Sequence, residues 1–118
     1  MKGSRCYSVH LDERNFPRVK YLRRKCGGIA AYGRYHVLMA LLYDYDALID
    51  LSDAVTLGIL EEELELGSEQ ALMSFLSQAA RAGIIDEAQL EAENRVFSSE
   101  VWEQLDNKAR RSDRAKKG

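Results

Sequence analysis

Residues 52–86 read SDAVTLGILEEELELGSEQALMSFLSQAARAGIID, and the fold turns on them. Ser52 is a suitable N-cap, and Asp53 in the first turn complements the positive end of a helix dipole. The helix they open carries Val55, Leu57, Ile59, Leu60 and Leu64, and is expected to end near Leu66-Gly67. Ser68 then caps a second helix, with Glu69 in its first turn. Leu72, Phe75, Leu76 and Ala79 recur at i, i+3, i+4 and i+7, the stripe of a helix packed on one side. Gly83 ends it, and Ile84-Ile85 reads as a short strand.

Upstream, Ala47–Leu51 reads as another short strand, and Ile29–Tyr45 is apolar nearly all round, as expected of a central buried helix. Gly33 inside that helix costs about 1 kcal/mol against Ala, which points to a second backbone coming close. Before it, Val19, Leu22 and Cys26 recur at helical spacing behind an Arg14–Pro17 turn. Pro17 suits the first helical position, and Gly27-Gly28 stops the helix. Arg5–Leu11 alternates as a half-buried strand does. Downstream, 86–94 is polar and acidic, either a loop or one or two helical turns. Arg95-Val96-Phe97 is the return strand, and Ser98 or Ser99 caps a last helix holding Val101, Trp102 and Leu105. The expected fold is mainly α (α+β): a winged helix-turn-helix with a short β-wing and an N-terminal strand, over residues 1–107. Residues 108–118 are basic, have no apolar face, and are expected to be a disordered tail.

The chain is 118 residues long, enough for one domain, and 46% hydrophobic, enough for a single core. No run of about 18 apolar residues exists, so no membrane association is expected. The N-terminus has no apolar block resembling a signal peptide. Cys6 and Cys26 make no disulfide framework, and a cytoplasmic location is expected. Charge is segregated beneath a net of −2. Residues 1–40 carry nine Lys/Arg against two Asp/Glu, residues 41–104 two against fifteen, and residues 105–118 six against two. Such blocks either steer an anionic partner or attract each other within the fold.

Little in the sequence points to catalysis. It has no Gly-rich phosphate loop, no Gly-x-Ser-x-Gly elbow and no C-x-x-C pair. His10 and His36 stand alone in their segments, and Asp44/Asp46 and Glu61–Glu65 read as solvated helix ends. No enzymatic activity, metal or cofactor is expected. Tyr7, Tyr32, Tyr35, Tyr43, Tyr45 and Trp102 fit core packing better than a stacking platform for single strands.

The second helix of the pair would present Gln70, Ser74, Ser77 and Arg81 along one stripe, with Gln78 beside it. These side chains can bond base edges or phosphates. The basic first helix (Arg18, Lys20, Arg23, Arg24, Lys25) and the tail (Lys108, Arg110, Arg111 and the cations beyond) are phosphate-contact candidates without sequence preference. Glu61, Glu62, Glu63, Glu65 and Glu69, just ahead of the stripe, oppose a phosphate backbone there.

Four short stretches carry a family resemblance. They are Arg14-Asn15-Phe16-Pro17-Arg18-Val19; Gly28 with Tyr32-Gly33-Arg34-Tyr35 running into Leu38 and Leu42; Leu66-Gly67-Ser68 closing with Ala82-Gly83-Ile84-Ile85-Asp86; and Val96-Phe97-Ser98-Ser99. Over residues 6–107 the chain resembles the N-terminal domains of phage replisome-organiser proteins, which are related to those of DnaD-type primosome proteins. That family usually has Asp before the Pro. Phe16 stands there in this chain, so the first helix starts without a side-chain cap or uses Asn15. The resemblance implies a non-enzymatic domain of phage or prophage origin that binds DNA and assembles replication proteins at initiation. Two alternatives stand beside it: a protein–protein module that self-associates or docks a helicase loader without touching DNA, and a small transcriptional regulator, which requires a dimer on two half-sites.

Overall fold

Pro17 opens the first helix, α1 (Pro17–Cys26), where its missing N–H leaves no hydrogen bond unmade. Phe16 precedes it as an extended N-cap residue that makes no side-chain cap bond. Gly27 closes α1 in the left-handed region at φ 102°, and Gly28 follows at φ 68°, which turns the chain sharply into α2 (Ile29–Asp44). The order continues β1 (Leu48–Asp50), α3 (Ala54–Glu63), α4 (Glu69–Arg81), α5 (Glu87–Glu93), β2 (Arg95–Phe97) and α6 (Ser99–Lys117). This computed structural model describes residues 15–117, with side chains to Ala109. The strand expected over Arg5–Leu11 lies outside them.

The described residues are mainly helical, with one two-stranded antiparallel sheet. Leu48 pairs with Phe97, Ile49 with Val96 and Asp50 with Arg95. Ile49 and Val96 are fully buried, so one face of this ladder joins the core. The expected ribbon therefore has a different partner: β2 pairs with β1, and Ile84-Ile85 is not a strand. Only two residues separate Gly83, at φ 84°, from Asp86, which caps α5. Both isoleucines are anchored by burial, and one backbone bond, from Asp86 N–H to the Phe97 carbonyl (2.9 Å), ties the segment to β2.

Other boundaries shift for local reasons. Asp53, rather than Ser52, is the N-cap of α3, because its carboxylate reaches the Thr56 N–H (3.2 Å) and hydroxyl (2.6 Å). Ser52 instead donates from its N–H and hydroxyl to Asp50. The α3 helix stops at Glu63 rather than at Leu66-Gly67, since Glu65 takes a left-handed conformation at φ 53°. The acidic 86–94 stretch is helical, with Asp86 Oδ1 accepting from the Gln89 N–H (2.8 Å). Ser98 caps α6, and the helix runs on through the basic segment that was expected to carry no regular structure. That segment is rich in Ala, Lys and Arg and has no Gly or Pro before Gly118, so extending a packed helix costs far less than nucleating one. Its cations also favour the negative end of the helix dipole.

The core is shared among α1, α2, the sheet, α3, α4 and α6, through Val19, Leu22, Leu38, Leu42, Ile49, Leu60, Leu72, Leu76, Val96 and Val101. Contrary to expectation, α2 is not enclosed on every side. Tyr35, Leu38 and Leu42 are buried, but Ile29, Ala30, Gly33 and Ala40 are exposed, because a domain this small lacks the elements to surround a helix. Nor, among the described residues, does a second backbone approach Gly33, where a Cβ would meet nothing within 4 Å. Among the described residues, no helix is long and apolar enough to cross a membrane.

Glu65 supplies a stability test. A left-handed non-glycine residue costs about 1–2 kcal/mol, partly offset by the greater unfolded-state freedom of glycine. Glu65→Gly is therefore expected to raise stability by about 0.5–1 kcal/mol, read as a higher urea midpoint at unchanged slope.

Candidate nucleic-acid interface

The α4 helix is held at its start by Ser68, whose Oγ accepts from the Ala71 N–H (3.1 Å), and along its length by buried Leu72, Phe75, Leu76, Ala79 and Ala80. Burial of that stripe leaves Gln70, Ser74, Ser77 and Arg81 exposed on the opposite side. Gln78 lies at the margin, half-buried, and its Oε1 accepts a hydrogen bond from the Tyr21 hydroxyl (3.1 Å). This bond joins α4 edge to edge with basic α1. The sequence reading passed over Tyr21. Its place among the α1 cations, off the Val19–Leu22–Cys26 stripe, was the available signal.

The five α1 cations divide by environment. Lys20, Arg24 and Lys25 are exposed, and Lys25 Nζ sits 5.9 Å from the Tyr21 ring centre. Arg18 is committed elsewhere: its guanidinium pairs with Glu100 at the start of α6 (3.0 Å) and lies over the Phe16 ring. Arg23 is half-buried, with Nε enclosed and no acceptor in reach among the described residues. Its charge and those of Arg24 and Lys25 sit in the last turn of α1, where they also favour the helix dipole. The structure thus brings Lys20, Arg24, Lys25, Gln78 and the exposed α4 residues onto neighbouring elements. Lys108 lies on α6 with Arg110 and Arg111 following, and the side chains beyond Ala109 are outside the described residues.

The acidic block lies at the other end of α4. Glu62, Glu63, Glu65 and Glu69 are exposed around the α3–α4 turn, with Glu61 half-buried. The turn is fastened to α2 by Arg34, whose Nε donates to the Leu64 carbonyl (2.7 Å) and whose terminal nitrogen donates to that of Glu65 (3.3 Å). Arg34 thereby satisfies carbonyls left open at the end of α3. Phosphate would be repelled near Gln70 and tolerated toward Ser77 and Arg81.

The remaining chemical groups are built into the packing. Tyr35 and Tyr43 are buried, and His36 packs edge-on against the Tyr32 and Tyr35 rings, with centroids 4.4 Å and 5.4 Å away. Burial pushes the Cys26 thiol above its ordinary range, against the opposing pull of Arg34, and makes it a poor nucleophile at neutral pH. No group of three or more His, Cys, Asp or Glu among the described residues is arranged to hold a metal ion. The Asp53 carboxyl is held below its usual range, first by the Thr56 hydroxyl and then by the Thr56 N–H. A depressed folded-state pKa contributes stability that is complete above the unfolded value and is lost as pH falls, from about pH 5 downward. Asparagine caps equally well but does not titrate. Asp53→Asn is therefore expected to match wild type at pH 7 and to lose stability less steeply in acid, followed by urea midpoints across pH.

No protein-family model, curated protein or solved structure matches this chain.

Proposed function

We propose that the chain is a winged helix-turn-helix domain that binds DNA without catalysis and assembles replication proteins at initiation, in a phage or prophage setting. The winged-helix reading is supported by β1 leading into the α3–α4 pair and β2 returning antiparallel to β1. The Asp86–Phe97 backbone bond beside that ladder fits a short wing with α5 carried at its tip. The replication setting draws on the resemblance of the four stretches named above to replisome-organiser domains.

The observation that carries DNA binding is the Tyr21–Gln78 hydrogen bond, which sets the exposed cations of α1 next to the polar face of α4. In this reading Lys20, Arg24 and Lys25 contact phosphates, and Ser77, Gln78 and Arg81 reach into the groove from the end of α4 away from the glutamates. Phosphate contacts dominate, so affinity is salt-dependent and weakly selective for sequence.

The test is a titration of the purified chain into labelled duplex and single-stranded DNA, at low and at physiological salt, followed by anisotropy. Saturable binding that weakens steeply with salt is expected. A folded chain that binds neither form at low salt would remove DNA from the function and leave the protein–protein reading, which the exposed glutamates of the α3–α4 turn favour.

A further inference from the structure

The exposed side of α2 carries small residues at three- and four-residue spacing. Ala30, Gly33 and Ala40 are exposed, Val37 is half-buried, and Ile29 at their head is 81% exposed. Space at Gly33 is unfilled among the described residues. Facing it are Glu63, Leu64 and Glu65 at the end of α3, fastened in place by Arg34. Together these residues line an open notch of about 310 Å³. Ala30, Val37 and Leu64 give it an apolar part, and Glu63 and Glu65 outnumber Arg34 among its charges. Small-molecule sites enclose most of their ligand, whereas this notch opens along α2 and suits side chains from a helix laid across it.

Its electrostatics select the occupant. Among the described residues, Glu61, Glu62, Glu63, Glu65 and Glu69 make no ion pair; the pairs present are Arg18–Glu100 and Arg95–Glu93. Arg34 spends its hydrogen bonds on backbone carbonyls. The same chain holds a complement: residues 105–118 carry six Lys/Arg against two Asp. They belong to a helix of 19 residues, about 28 Å long at 1.5 Å per residue. Val101 near its start is buried, Leu105 and Asp106 are half-buried, and Asn107, Lys108 and Ala109 are exposed. Exposure of the described α6 side chains thus rises toward the basic end of the sequence.

We infer that the basic half of α6 docks in the α2–α3 notch of a second copy of this chain. Its cations meet Glu63 and Glu65, and the missing side chain at Gly33 lets the incoming helix approach closely. Notch and helix are different surfaces, so the contact is heterologous, and copies add head to tail rather than closing as a two-fold dimer. Neither Lys20 nor Arg24 takes part, so this assembly stands or falls separately from DNA binding by α1.

Sedimentation velocity of the full chain, over a range of concentrations at low and high salt, tests it. The wild type is expected to gain mass with concentration at low salt and to return to monomer at high salt. Glu63→Lys/Glu65→Lys and Arg110→Glu/Arg111→Glu are each expected to remain monomeric. Mixing these two variants restores association, because each reversed surface meets its complement on the other chain. Gly33→Leu fills the notch at an open helical position and leaves every charge in place. It is expected to be monomeric with an unchanged helical spectrum. A wild type that stays monomeric at low salt, a folded variant that associates like wild type, or a mixture that stays monomeric would each overturn the inference.

Discussion

Lys20→Glu/Arg24→Glu is expected to weaken DNA binding by about 100-fold at roughly 0.1 M salt and to lower the log–log salt slope by about two. Both residues are exposed on α1, next to the helix that carries the polar stripe. Each lost phosphate contact removes about 0.9 from the slope, worth roughly a factor of eight at ~0.1 M relative to ~1 M salt. Two contacts then account for almost two orders of magnitude, and the added negative charge supplies the remainder. A glutamate at position 24 also opposes the helix dipole, at a cost of about 0.3–1 kcal/mol, so unfolding is measured alongside binding. Arg18→Gln is the informative comparison. Arg18 is already paired with Glu100, and its loss should change affinity far less. Equal losses for Arg18→Gln and the double reversal would place the phosphate contacts elsewhere than on the outer face of α1.

The second large effect is on stability. Leu42→Ala removes a fully buried side chain from α2, the helix that packs against both α1 and α6. The cost combines lost transfer free energy with a cavity that its neighbours fill only partly, about 2–5 kcal/mol for such a change. Against a total of roughly 5–15 kcal/mol for a domain of this kind, that is a large share. The backbone adds a reason for incomplete collapse: the Leu42 carbonyl accepts from the Ala47 N–H (2.7 Å) at the turn into β1, which fixes this end of α2. Ile29→Ala on the same helix is the control. At 81% exposure its removal should stay within about 0.5 kcal/mol. Urea unfolding of both variants gives the comparison, and a Leu42→Ala loss under about 1 kcal/mol would contradict a core packed around Leu42.

The helices were legible because their signals are local. Pro17, Gly27, Ser68 and Gly83 act through their own backbone geometry or a bond three residues away, and the Leu72–Ala79 stripe states which side of α4 is buried. Competition between neighbouring caps was less legible. Ser52 and Asp53 both suit the position, and the Thr56 hydroxyl decides for Asp53. The candidate interface was read in halves. The α1 cations and the α4 stripe each followed from helical spacing, but the bond that unites them spans 57 residues.

Sequence by itself therefore determined a mainly helical domain with its α3–α4 pair, the Ser68 cap and its segregated charge, because helical spacing and a cap act within a few residues. Tertiary structure alone decided that β2 pairs with β1 rather than with Ile84-Ile85, and that Arg18 is neutralised by Glu100 while Lys20 and Arg24 stay exposed. It also decided that, among the described residues, the space at Gly33 stays open. These outcomes depend on which distant segments meet when the core closes, and the partner of a strand edge or a guanidinium is set by that packing rather than by its sequence neighbours.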